Sequence, residues 1–98
     1  MKIHELKIKE EYYKAIIDGE KTFELRKNDR DYQVGDLIQF NDKLFTPKYY
    51  FEGATEKYYP LPCETLFKIT YVLKDVPEYG LDKDYCILGI KQVEIKEM

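Results

Sequence analysis

Ninety-eight residues with 16 Lys and Arg against 19 Asp and Glu give a net charge of −3, which excludes broad, sequence-blind attachment to nucleic acid through many phosphate contacts. One His and two widely separated cysteines, Cys63 and Cys86, leave no disulfide framework, zinc site or Ser-His-Asp triad, so neither metal nor cofactor is expected. With no apolar run near the roughly 20 residues that span a bilayer and a charged N-terminus unlike a signal peptide, the chain reads as a single cytoplasmic domain over 1–98 with reduced cysteines and no membrane contact.

KIHELKI (2–8) alternates Ile3, Glu5 and Lys7 with His4, Leu6 and Ile8, which predicts a short strand with one apolar face. The period then changes. Tyr13, Ile16 and Ile17 stand at helical spacing, Glu10 and Glu11 occupy a first turn where they oppose the helix dipole, and Gly19 follows as a natural left-handed terminator. These predict a helix of about two to three turns. In KTFELRK (21–27) the period returns to two: Phe23 and Leu25 are expected to face the core, with Thr22, Glu24 and Arg26 on the other face. NDRDYQVGD (28–36) reads as a loop, in which Asp29 and Arg30 suit loop fastening and Gly35-Asp36 a turn; LIQF (37–40) is the next strand.

Residues 45–62 are expected to form a Tyr-rich ribbon or loop insertion. KYYFEGATEKYY (48–59) carries two Lys-Tyr-Tyr segments around a Gly turn, which suggests a hairpin closed by PLP at 60–62. Its tyrosines could stack on unpaired bases, pack back on the domain or meet a second protein. TLFKITYVLKD (65–75) is the strongest strand, with Phe67, Ile69, Tyr71 and Leu73 on the face expected to pack inward. The last strand spans 85–96, and Gly89 inside it suggests a bulge or sharp bend. About five or six strands with one or two helices make a mainly β domain, bent or barrel-like.

Charge is unevenly spread. Residues 1–30 hold eight basic and seven acidic side chains, whereas 31–98 hold eight and twelve, so an anion site belongs to the first third and must be local. The charged strand face of Lys21, Glu24 and Arg26 has two readings: a cleft in which Arg26 forks onto phosphate or a base edge, Lys21 adds a point charge and Glu24 accepts from a base amine, or a salt-bridged face of modest value. Lys7 and Arg30 are further candidate ligand-binding residues. His4 suits a packed or exposed residue better than a ligand.

The run IIDGEKTFELRKNDRDYQVGD, preceded by HELKIKEEYYKAI and followed by FKITYVL, resembles the ASCH group of the PUA-like superfamily, and more narrowly the bacterial and phage-associated branch DUF3850. The likeness is close over 2–42 and looser over 66–74 and 85–92. It implies a small PUA-like β-barrel whose cleft is lined by a Gly-x-Lys-x-x-x-x-Arg signature, here Gly19, Lys21, Glu24 and Arg26, with RNA or a modified nucleoside as ligand. Asp29, Arg30, Gly35 and Asp36 match the extension of the branch. One related set hydrolyses the acetyl amide of N4-acetylcytidine with a Lys, a Thr nucleophile and a distant Glu. Glu24 stands at the nucleophile position here, so that activity is not carried over, although Lys21 and Glu24 remain candidate catalytic residues for hydrolysis of a modified nucleoside. The leading expectation is RNA or nucleotide/nucleoside binding; the alternatives are such a hydrolase and a protein-interaction module using the Tyr-rich ribbon. Oligomeric state is not legible.

Overall fold

A computed structural model describes the backbone of residues 1–41, 48–52, 55–59 and 65–93, with side chains for 1–41 and 65–93. Alternation at the N-terminus becomes strand β1 (Ile3–Lys7), which buries His4 and Leu6 and leaves Ile3 exposed. Helix α1 (Glu10–Ile17) follows, with Glu10 and Glu11 in its first turn and Tyr13 and Ile16 buried. It ends as the sequence predicts. Gly19 adopts φ 80°, its N–H bonds the Ile16 carbonyl at 3.0 Å, and the Glu20 N–H reaches back to the Ala15 carbonyl at 3.0 Å. This is a Schellman ending, which needs a residue free to enter the left-handed region.

Next come β2 (Phe23–Lys27), β3 (Leu37–Asn41), β4 (Lys48–Glu52), β5 (Thr55–Tyr59), β6 (Leu66–Leu73), a 3-10 turn at Pro77–Tyr79 and β7 (Tyr85–Val93). Five strands form one sheet in the order β1-β3-β6-β7-β2, with β1 parallel to β3 and the other neighbours antiparallel. The fold is thus mainly β, a curled half-barrel with one α-helix among the described residues. Strands β4 and β5 pair antiparallel, Lys48 opposite Tyr59 and Glu52 opposite Thr55, so the predicted hairpin exists as a separate two-stranded sheet. The side chains of its tyrosines, the PLP closure, Cys63 and the end of the last strand at 94–96 lie outside the described residues.

The core is continuous from α1 through the sheet. Tyr13 and Ile16 of α1 belong to one cluster with Leu6, Tyr32, Ile38, Phe40, Phe67, Ile69, Cys86, Leu88 and Ile90. Phe40 sits 5.5 Å from Phe67 and 6.4 Å from Tyr13, ring centre to ring centre. Burial of such rings and branched side chains is the main stabilising term.

Two strand faces differ from expectation. Phe23 and Leu25 are 46% and 55% exposed, while Glu24 is only 4% exposed. Pairing with β7 sets this phase: Glu24 lies opposite Leu88 and Arg26 opposite Cys86, both inward residues. Tyr71 was expected in the core but is 63% exposed. The reason is a register shift between Ile69 and Tyr71. One extra residue, Thr70, reverses the alternation, so Val72 becomes the inward-leaning residue. The irregularity expected at Gly89 therefore lies on the neighbouring strand, and Gly89 makes room for it: a Cβ there would stand 2.9 Å from Thr70 Oγ1.

The loop before β3 is fastened by a buried pair. His4 Nε2 lies 2.9 Å from Asp36 Oδ2, and the Lys2 and Gln33 N–H groups donate to the same carboxylate at 3.2 Å each. The hydrogen bond from His4 holds the Asp36 carboxyl below its usual range, against the opposing effect of burial, and the two amides reinforce it. A carboxylate only accepts, so His4 Nε2 carries the proton. The His4 ring also packs on Tyr32 at 4.8 Å. His4 is a packed residue, one of the two non-ligand places, packed or exposed, that its sequence context left open.

Two stability outcomes are expected. Gly89→Ala should lower the unfolding free energy in urea by about 1–2 kcal/mol, and Thr70→Ala in the same chain should recover most of that loss. Because the Asp36 pKa is depressed on folding, its contribution is fully present at neutral pH and is lost as the pH falls below about 4 and through the folded value. Asp36→Asn should flatten this acid limb in a pH series of urea melts.

Candidate functional site at the barrel seam

The helix ending determines where the charged run begins. The Lys21 N–H bonds the Ala15 carbonyl at 3.0 Å, which ties the entrance of β2 to the last turn of α1. From there the Lys21 ammonium reaches Glu24 Oε1 and lies 5.4 Å from the Tyr12 ring centre and 5.2 Å from that of Phe23. Arg26 takes the other carboxylate oxygen: its Nε and Nη2 stand 3.1 and 3.0 Å from Glu24 Oε2. Thus both oxygens of a buried carboxylate are engaged by cations, which is the condition for keeping it charged inside a protein.

Arg26 then crosses to the other edge of the sheet. Its Nη2 donates to the Lys7 carbonyl, and its guanidinium carbon lies 5.9 Å from the Phe40 ring centre. Arg30 repeats the move, Nη1 donating to the Glu5 carbonyl at 3.2 Å. Strands β1 and β2 are the two edges of the five-stranded sheet. They face each other across a seam that is bridged by these two arginines and not by a strand-to-strand ladder.

A hollow of about 420 Å³ opens at this seam, lined by Glu5, Leu6, Lys7, Arg26, Lys27, Asp29, Arg30, Tyr32 and Asn41. Its size falls in the range of small-ligand pockets. Four cations line it against two carboxylates. Among the described residues, Lys7 and Lys27 have no ion-pair partner, and the Nη1 edge of Arg26 is unengaged. Tyr32 forms part of the wall, and burial pushes its phenol up despite the opposing charges of Arg30 and Arg26. Burial likewise raises the thiol of Cys86, which is free and sits behind Arg26 in the core.

Lys7, Arg26 and Arg30, three of the residues singled out in the sequence, therefore share one hollow. Lys21 and Glu24 join Arg26 in an ion triad but do not line that space. Lys21 instead borders a separate hollow of about 260 Å³ with Ile16, Ile17, Gly19, Thr22, Phe67, Ile90, Lys91 and Gln92. Lys27, Asn41 and Tyr32 line the hollow although the sequence did not single them out, and Asp29, a loop-fastening residue by its sequence, lines it too. Lys27 was legible only as the last strand residue before a turn, where the chain can present both faces. Among the described residues no group of three or more His, Cys, Asp and Glu gathers as for a metal ion, and no helix is long and apolar enough to cross a membrane.

An uncharacterized 12.9 kDa protein in the GpA 3′ region of Escherichia phage P2 is 43% identical to this chain over 37 residues, a match covering 38% of this chain and 34% of that protein. The crystal structure of hypothetical protein PH0355 is similar in fold, with a TM-score of 0.56 at 18% identity, covering 95% of this chain and 100% of that one. The model of a domain of unknown function, DUF3850, matches residues 3–90. By that match over nearly its whole length, the chain belongs to the DUF3850 family.

Proposed function

We propose that this protein binds a nucleotide, free or as one unit of single-stranded RNA, in the seam hollow. The observation that carries the reading is the convergence of Lys7, Arg26, Lys27 and Arg30 on one concave space in an otherwise acidic chain. Lys7, Lys27 and Arg30 supply charge for phosphate, and the open edge of Arg26 supplies a directed donor for phosphate or a base. Asp29 and Asn41 border the same space and suit the polar edge of a base. Lys21 and Glu24 act behind the hollow by fixing the Arg26 guanidinium. The resemblance of the Gly19-to-Arg26 run to the ASCH signature supports the same ligand class.

The hydrolytic alternative draws less support. Lys21 and Glu24 are paired to each other, and Arg26 holds the second oxygen of Glu24, so neither group stands ready to direct water. The interaction-module alternative rests on hairpin side chains outside the described residues.

Titration of a nucleotide panel and labelled single-stranded RNA against wild type, Arg30→Ala and Lys27→Ala tests the proposal. Each variant should bind about tenfold more weakly, as expected for one charge-assisted contact, with affinity falling as salt rises. Absence of binding to wild type, or equal affinity of Arg30→Ala and wild type, would remove the reading.

A further inference from the structure

A third hollow, of about 380 Å³, adjoins the seam hollow and is lined by Lys27, Asn28, Asp29, Asp84 and Tyr85. Lys27 and Asp29 line both spaces, so the two hollows adjoin at the end of β2. We propose that this compartment receives the base of an adjoining nucleotide, making the natural ligand single-stranded RNA of at least two units and not a lone mononucleotide. The inference rests on nucleotide binding at the seam and adds to it a second subsite with its own chemistry.

The compartment is built rigidly. Lys27 and Tyr85 are register partners across β2 and β7. The Asn28 N–H donates to the Asp84 carbonyl at 2.8 Å, and the Tyr85 N–H donates to the Asp82 carbonyl at 3.0 Å. The Asp82 side chain in turn accepts from the Asp84 N–H at 2.8 Å. These bonds tie the beginning of the 28–36 loop to the turn that enters β7. Tyr85 is 40% exposed at this point, although it opens a strand whose next residue is fully buried. A half-exposed ring beside a groove is a stacking surface that accepts any base.

Charge separates the roles of the two compartments. The seam hollow has four basic side chains against Glu5 and Asp29, whereas the other has Lys27 alone against Asp29 and Asp84. Two carboxylates oppose a phosphate but accept hydrogen bonds from the exocyclic amine of a base. Lys27, at the boundary, is placed for the bridging phosphate, with one base on either side. Cytosine should therefore be preferred over uracil in the second compartment, since it presents an amine where uracil presents an acceptor.

Calorimetric titration with CMP, CDP, CpC, UMP and UpU tests this on wild type, Tyr85→Ala, Tyr85→Phe and Asp84→Ala, each first verified as folded by thermal melting. Wild type should bind CpC about tenfold more tightly than CMP, the gain expected from stacking one further base. Tyr85→Ala should lose that gain while keeping its affinity for CMP, and Tyr85→Phe should retain it. The gain of UpU over UMP should be smaller than that of CpC over CMP, and Asp84→Ala should make the two gains alike. The inference fails if CpC binds no better than CMP, if CDP matches CpC, or if the gain survives in Tyr85→Ala. A wild type that ignores CMP and CpC alike would instead remove the seam reading itself.

Discussion

The buried carboxylate of Glu24 is the constraint around which the site is arranged. An ionised carboxylate inside a protein is strongly unfavourable unless its oxygens are paired, and removing one partner from a buried pair costs about 3–5 kcal/mol. Lys21 and Arg26 pair both oxygens of Glu24. Each cation is delivered by a separate structural decision: the left-handed Gly19 brings Lys21 back beneath the helix, and strand alternation puts Arg26 on the same face as Glu24. The triad thereby couples the helix ending, the phase of β2 and the orientation of the guanidinium.

That coupling explains how a sheet with two exposed edges remains a defined object. Edge strands present unpaired backbone groups, which proteins cover or blunt. Here the Lys7 and Glu5 carbonyls of β1 receive arginine side chains from the β2 end of the sheet. Side-chain closure spans a wider gap than a ladder of backbone bonds would, and the gap becomes the hollow. The same guanidinium thus satisfies an edge carbonyl, neutralises an internal carboxylate and offers its remaining edge to the groove. Behind it, Asp36 with His4 and the Lys2 and Gln33 amides holds the loop that carries Arg30. Arg26 and Arg30 are consequently held in place by the protein itself, which would reduce the ordering cost of the proposed binding.

Much of the architecture was legible because it depends on period and punctuation. The switch from alternation to helical spacing located α1, and Gly19 located its end. The mirrored Lys-Tyr-Tyr segments located the hairpin. What could not be read was which face of β2 turns inward, since alternation is symmetric between faces. Hydrophobicity favoured burying Phe23 and Leu25, but pairing with β7 turned Glu24 inward, where two cations pair its oxygens. Tyr71 failed for another reason: inserting Thr70 into the pairing changes the phase halfway along β6, and no local residue pattern marks the change. Gly89, on the partner strand, was its sole trace. In the site, the chemistry of Lys21, Glu24 and Arg26 was visible as a cluster, but the division into two supporting groups and one lining group depends on the seam, a long-range feature.

The overall charge then bears on what kind of ligand such a groove can select. A net −3 chain has no extended positive field to steer a long polyanion, and counterion release scales with the number of phosphates neutralised. The seam offers few cations, gathered within one hollow, and the adjoining compartment becomes acidic within a single strand end. Under the proposed function, a long, uniformly charged duplex would meet repulsion on leaving the seam, whereas a short flexible strand would put phosphate over Lys27 and turn its bases toward the carboxylates and Tyr85. On the proposed reading, alternating sign along these adjoining hollows would discriminate by the spacing of charge in the ligand, a selectivity that a uniformly basic surface could not supply.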